Sequence, residues 1–277
     1  MKNFAFPVFF FLFLLTGGSL YAQTYEELIS KSYDYVEIDN LPAAEECLKS
    51  ALRLEPANKL NFTLLSNLGT IQRRLGRLDD ALLSYTAALS QQSKNELILE
   101  NRATLYTEMG EMELAMNDYQ TLLSVNPLHE EALYQRGLLY IQSNNSLLAE
   151  IDFEQIIEIN QESVKGRLGF AILEKTRQNY VACEEILNYL ISKNPNFLLL
   201  YEERAELFYL TNRRGRAMTD LNKVFAETPN PSAELYVLRG RIKLAQYEKE
   251  SAALDFRKAL LLGYDTATIE NLLKQTF

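Results

Sequence analysis

The sequence has a single histidine, His129, among its 277 residues. A three-histidine metal site, a Ser-His-Asp arrangement or a histidine acid-base pair needs this residue or several of its kind, so those chemistries are not expected. His129 stands in a turn just before a helix-forming stretch, where it reads as a solvated turn residue. Glycine and proline number only eleven and seven, which leaves long helices uninterrupted and supplies no phosphate-cradling glycine loop. Cysteine is limited to Cys47 and Cys183. They fall four repeats apart in the scheme below, well beyond the ~7 Å Cα separation that a disulfide tolerates, and read as small buried residues with free thiols. Positive charge is also short: 28 Lys and Arg against 37 Asp and Glu leave a formal charge of −9. Sequence-independent attraction to nucleic acid or anionic lipid is therefore not expected, and a partner should be neutral or basic where it touches.

What is present suits an extended core, with 47% apolar and 23% charged residues. Residues 1–22 read as a secretory signal peptide: Lys2, the phenylalanine-rich apolar stretch Phe4 to Leu15, then small residues before a cut after Ala22. The stretch is short for a membrane span. It implies export, with the mature chain periplasmic or secreted.

From Tyr25 almost to the end, one unit recurs about every 34 residues, starting near 25, 62, 96, 130, 164, 198 and 233. Its clearest copy is Glu130 to Gln161, EEALYQRGLLYIQSNNSLLAEIDFEQIIEINQ. Leu133, Gly137 and Tyr140 form one helical stripe, and Ala149, Phe153 and Ile156 form another. The polar turn Ser143-Asn144-Asn145-Ser146 joins the two helices. A hairpin of this size cannot bury both faces alone and must stack on its neighbours. A small residue on each helix lets the backbones approach, and Pro56, Pro127, Pro195 and Pro229 close second helices. The fifth copy departs most, with Arg167 and Glu174 where apolar residues usually sit. Thr24 with Glu27 forms a capping-box signature, and Asp265 can cap a last helix carrying Ile269, Leu272 and Leu273 on one face.

This order (a large residue, leucine, a small residue and an aromatic on the first helix, then Ala-x-x-x-Phe, a small residue and proline) resembles the tetratricopeptide repeat (TPR) family from Tyr25 to about Tyr264. Ser93, Gln161 and Tyr264 replace the closing proline and depart from the pattern. The resemblance implies an all-α fold: a right-handed superhelical solenoid of about seven helix-turn-helix repeats over 23–264, with a capping helix over 265–277.

Four repeats carry arginine at their seventh position and aspartate at their twenty-third: Arg102 with Asp118, Arg136 with Asp152, Arg204 with Asp220, and Arg239 with Asp255. The other three carry neither, having Lys31 with Cys47, Leu68 with Ser84, and Phe170 with Ile186. Co-occurrence of opposite charges predicts a partly buried bridge between the two helices of a repeat. The rival, a bridge to the preceding repeat, fits only Arg136 with Asp118 and Arg239 with Asp220. The basic turns Arg73-Arg74 to Arg77 and Arg213-Arg214 to Arg216 read as cations near the ends of first helices, complementing exposed carbonyls. Glu45-Glu46, Glu130-Glu131 and Glu202-Glu203 read as solvated faces.

The family resemblance further implies a non-catalytic scaffold whose first helices line a concave groove for a peptide or helix of a protein partner. Groove positions two, five, nine, twelve and thirteen, carried over, give Tyr134, Leu138 and Ile141 in the fourth repeat and Leu168 and Ile172 in the fifth. They give Glu202, Glu206 and Tyr209 in the sixth, and Val237, Arg241 and Leu244 in the seventh. An apolar floor beside acidic residues suits an apolar segment with a basic flank; packing of the same residues between neighbouring first helices is the other reading. Ile29 and Tyr33 stand where some members hold a clamp for chaperone tails, so that clamp is not expected, and neither is a cofactor or metal. The alternatives are an enzyme or accessory subunit using groove carboxylates, and a self-assembly module using the end repeats.

Overall fold

The computed structural model describes residues 23–277, and the expected leader with its cut lies outside the described residues. These residues form fifteen α-helices and no strand. They divide into two units at Gln92 and Ser93. The first unit contains α1 (Tyr25–Glu37), α2 (Leu41–Leu54), α3 (Asn61–Arg74) and α4 (Leu78–Gln91), paired as two hairpins. The second contains α5 (Glu96–Met109), α6 (Met112–Val125), α7 (Glu130–Gln142), α8 (Ser146–Ile159), α9 (Val164–Thr176), α10 (Tyr180–Lys193), α11 (Leu198–Leu210), α12 (Arg214–Glu227), α13 (Ala233–Ala245), α14 (Lys249–Leu261) and α15 (Thr266–Lys274). Here α5 to α14 pair as five hairpins, and α15 packs on α14.

Helix starts follow the local chemistry. The Thr24 hydroxyl accepts from the Glu27 amide at 3.2 Å while the Glu27 carboxylate accepts from the Thr24 amide at 3.1 Å, which satisfies two orphan donors reciprocally. Asp265 caps α15 by accepting from the Thr268 amide at 2.7 Å. His129 does more than occupy a turn: its Nδ1 accepts from the Ala132 amide at 3.2 Å and so caps α7. Every hairpin turns on one residue with positive φ, namely Asp39, Gly76, Gly110, Asn144, Gln178, Asn212 and Tyr247. The backbone geometry is thus more periodic than the residues that adopt it.

Packing repeats as well. A Cβ added to Gly137 would lie 2.4 Å from the Phe153 ring, and one on Gly169 would lie 2.5 Å from the same ring. Phe153 is fully buried, so glycines on α7 and α9 let one aromatic of α8 join two successive hairpins. Gly69 meets Tyr85 and Gly240 meets Phe256 in the same way. At the C-terminal end Ile269 is fully buried, with Leu272 and Leu273 against the same cluster, so α15 covers the apolar side of the last hairpin.

In the first unit, Glu45 corrects the reading of a solvated face. It is 7% exposed and lies within 2.7 Å of Lys49, with Arg77 also on its carboxylate. Burial raises its pKa, but Lys49 and Arg77 outweigh that and hold it below the usual carboxylate range. Gln72 continues the network to Ser84, whose hydroxyl donates to it at 2.6 Å. The turn arginines need a second correction. Arg73 and Arg74 do end α3, but Arg213 is the N-cap of α12 and Arg214 begins that helix. Arg214 reaches the Ala245 carbonyl at the end of α13 at 2.8 Å, and Arg213 pairs with Glu184 at 2.6 Å. Cys47 and Cys183 are both free thiols; burial pushes the Cys183 thiol up to about 12.

Candidate partner-binding site

The frame of the second unit is held by forked ion pairs. Arg102 Nε and Nη2 donate to Asp118 at 2.7 and 2.8 Å, and Arg136 to Asp152 at 2.9 and 2.6 Å. Arg204 does the same to Asp220 at 2.8 Å twice, and Arg239 to Asp255 at 3.0 and 2.6 Å. Every fork lies within one hairpin and joins its first helix to its second, so the rival pairing with a preceding repeat does not form. The four aspartates are buried, and the guanidiniums lie against rings such as Tyr140 and Phe225. Burial pushes Asp152 above the ordinary aspartate value against the lowering pull of Arg136. Desolvation of the carboxylate is therefore not fully returned by its partner. These arginines are satisfied and offer little to an incoming anion.

Beside this frame, α11 and α13 bound a concavity of about 410 Å³. Glu202, Glu203, Glu206, Tyr209 and Leu210 enter from α11, Glu234, Leu235, Val237, Leu238 and Arg241 from α13, with Ser232 and Tyr264 at its ends. The helical period puts Glu202, Glu206 and Tyr209 on one face of α11. Lys175 reaches over from α9, its ammonium 2.7 Å from Glu203 and also bonded to Glu206. Burial opposes that charge, but the two carboxylates prevail and hold the Lys175 pKa above the ordinary lysine range. Glu202 is different: it has no hydrogen-bond or ion-pair partner among the described residues. Burial, then repulsion from Glu203, raises its pKa. No three His, Cys, Asp or Glu among the described residues converge to hold a metal. The concavity combines an aliphatic floor, two tyrosines and unneutralised carboxylates, which suits noncovalent recognition.

Of the groove residues read from sequence, Glu202, Glu206, Tyr209 and Arg241 come together here. Leu138, Ile141 and Ile172 are half-buried on α7 and α9 and do not line this concavity. Tyr134 and Leu168 require correction, being only 8% and 1% exposed. Tyr134 packs against Phe153 with ring centroids 6.2 Å apart. Both side chains are committed to the packed interior of the second unit. Val237 is also buried, but it reaches the floor of the concavity. Lys175 and Glu234 occupy positions twelve and two of their repeats, so the same positional rule reaches both. Tyr264 belongs to the turn before α15 and holds the closing-proline position of the seventh repeat, which is not one of the groove positions.

The family described as Tetratricopeptide repeat matches residues 30–96, 98–127 and 130–163. The chain is similar to a tetratricopeptide repeat protein from Parabacteroides merdae ATCC 43184, with 61% identity and a TM-score of 0.81 over 92% of this chain and 99% of that one. PilF of Pseudomonas aeruginosa shares the fold at 18% identity, with a TM-score of 0.57 over 75% of this chain and 93% of its own. PilW, a type IV pilus biogenesis factor, does so at 19% identity, with a TM-score of 0.59 over 79% of this chain and 98% of its own. No curated protein matches the chain. With its repeated hairpins and the 61% identity to a solved member, the chain belongs to the tetratricopeptide repeat family and has its all-α solenoid fold.

Proposed function

We propose that this protein is a non-catalytic interaction scaffold that takes a segment of a protein partner into the α11–α13 concavity, within an exported assembly of the cell envelope or of a secretion system. TPR repeats mediate protein-protein interaction, and the scaffold role follows from that family. The observation that carries the site is the concavity itself, where Glu202, Glu206, Tyr209 and Arg241 from successive first helices meet over an aliphatic floor. The exported setting is supported by the leader-like residues 1–22. Among the described residues no helix is long and apolar enough to cross a membrane; in this reading any attachment to a membrane runs through a partner. A protein or peptide is the expected partner; nucleic acid disagrees with a charge of −9.

The test is photo-crosslinking in the cells that make the protein, with p-benzoylphenylalanine at Tyr209. Leu147, which is 67% exposed on α8, serves as the control position. One discrete partner adduct from Tyr209, absent from Leu147 and lost when Leu238→Arg fills the floor, is the expected result. Adducts only to further copies of the chain would favour self-assembly. No adduct from Tyr209 beside a discrete one from Leu147 would move the contact surface elsewhere.

A further inference from the structure

The carboxylates of the α11–α13 concavity fall into two sets. Glu203 and Glu206 are one turn apart on α11 and already share an ammonium, that of Lys175. Only 13% of the Lys175 side chain is exposed, so an amine carried on an aliphatic stem has been drawn out of water onto this helix face. Glu202 and Glu234 also line the concavity, and neither has an ion-pair or hydrogen-bond partner among the described residues. Leu235, Leu238, Leu210 and Tyr264 line the same concavity. Arg241 contributes positive charge from the α13 side. Lys175 is committed to the other two carboxylates, so the local balance still favours a cation.

We infer that the concavity recognises a partner segment in which an arginine or lysine adjoins an aliphatic or aromatic residue, the cation seated at Glu202 and Glu234 as Lys175 is seated at Glu203 and Glu206. This names the partner chemistry of the site proposed above and rests on that reading. Shape and charge both favour such a segment. The stem of a basic side chain can lie along Leu235 and Leu238 while its head meets carboxylates. The neighbouring apolar residue fills the space beside Leu210 and Tyr264. A cation removes the repulsion that Glu203 exerts on Glu202. Lys175 demonstrates, inside the same fold, that glutamates of α11 hold an ammonium in a largely desolvated place. An acidic segment would meet Glu202 and Glu234 unpaired, a like-charge juxtaposition that opposes binding.

The experiment pans a displayed library of random dodecapeptides against the whole protein and, in parallel, against the Glu202→Gln/Glu234→Gln double variant and Leu238→Arg. Peptides pairing Arg or Lys with an adjacent apolar residue should be enriched on the native protein. Those peptides should lose about tenfold in affinity on the double glutamine variant, the scale of a desolvated charge contact. Synthetic versions with citrulline for arginine, which keep the shape and drop the charge, should lose a similar factor on the native protein and almost nothing on the double variant. Enrichment of neutral or acidic peptides that Leu238→Arg abolishes would overturn the basic partner while keeping the concavity as the binding site. Basic peptides that bind the double variant and Leu238→Arg as well as the native protein would overturn the inference, and the crosslinks from Tyr209 would then decide separately whether the concavity binds anything. Unchanged thermal unfolding of the glutamine variant confirms that affinity, not folding, is being read.

Discussion

The fourth and fifth hairpins share the ring of Phe153, yet they hold themselves together by opposite means. In the fourth, Arg136 and Asp152 form a fork between α7 and α8, turning the charges inward. In the fifth, the equivalent positions are Phe170 and Ile186, and the charges turn outward to neighbouring hairpins. Lys165 reaches Glu131 at 2.5 Å and Arg177 reaches Glu150 at 2.6 Å, both in the fourth hairpin. Lys175 reaches Glu203 at 2.7 Å in the sixth. Arg167 instead turns inward, 4.8 Å from the Tyr189 ring of α10 in the same hairpin. A hairpin without the internal bridge can thus use the same residue classes to fasten the stack, and the α9-to-α11 fastening holds Glu203 and Glu206 of the candidate site.

The largest effect should come from breaking the inward pairing on one side only. Arg136→Leu leaves Asp152, 1% exposed, without its counter-ion, and should cost about 3–5 kcal/mol in chemical denaturation. Arg136→Leu/Asp152→Leu removes the desolvation cost together with the attraction and should lose much less. Equal losses in the single and double variants would show that the fork is not the coupling element. Next comes the shared ring: Gly137→Ala puts a Cβ where Phe153 lies 2.4 Å away and should cost about 1–3 kcal/mol as the core is displaced.

The outward pairing gives a smaller, pH-dependent effect. Lys175→Met leaves Glu203 and Glu206 without their shared cation and should cost about 1–2 kcal/mol near neutral pH, discounted because Glu206 remains well solvated. The two carboxylates hold the Lys175 pKa above the ordinary lysine range, so its contribution to stability is present at neutral pH and is lost as pH rises through that raised folded value. The gap between Lys175→Met and the parent should therefore narrow on strong alkalinisation, and a gap that widens there would contradict the assignment. Glu202, whose pKa is raised by burial and by Glu203, must be ionised to hold a cation, so binding of basic peptides should weaken on acidification. Smallest is the turn of the seventh hairpin: Tyr247→Gly at φ 66° should raise stability by about 0.5–1 kcal/mol by relieving a left-handed backbone that disfavours an aromatic side chain.

Much of this architecture is legible in the residues because each repeat must solve the same packing problem. Gly137 facing Phe153, and arginine at position seven matched to aspartate at twenty-three, are local pairings that a repeated sequence spells out several times. The turns are less legible: Gln178 and Tyr247 adopt positive φ because the surrounding hairpin dictates it, against their own preferences. Tyr134 and Leu168 carry suitable groove positions but are buried, since a positional rule specifies direction and not how closely neighbouring helices approach. Glu45 reads as a surface carboxylate until α3 and α4 bring Gln72 and Arg77 to it. The concavity gathers residues from two hairpins and a terminal turn, and only the α11 and α13 contributions have a periodic signal.

Hydrogen exchange on the whole protein, free and bound to the partner captured by crosslinking from Tyr209, tests the central claim most directly. The account predicts added protection concentrated in α11 and α13 and at the turn holding Tyr264, with the outer surface of α8 around Leu147 unchanged. Protection centred on α8, with α11 and α13 exchanging as in the free protein, would contradict it.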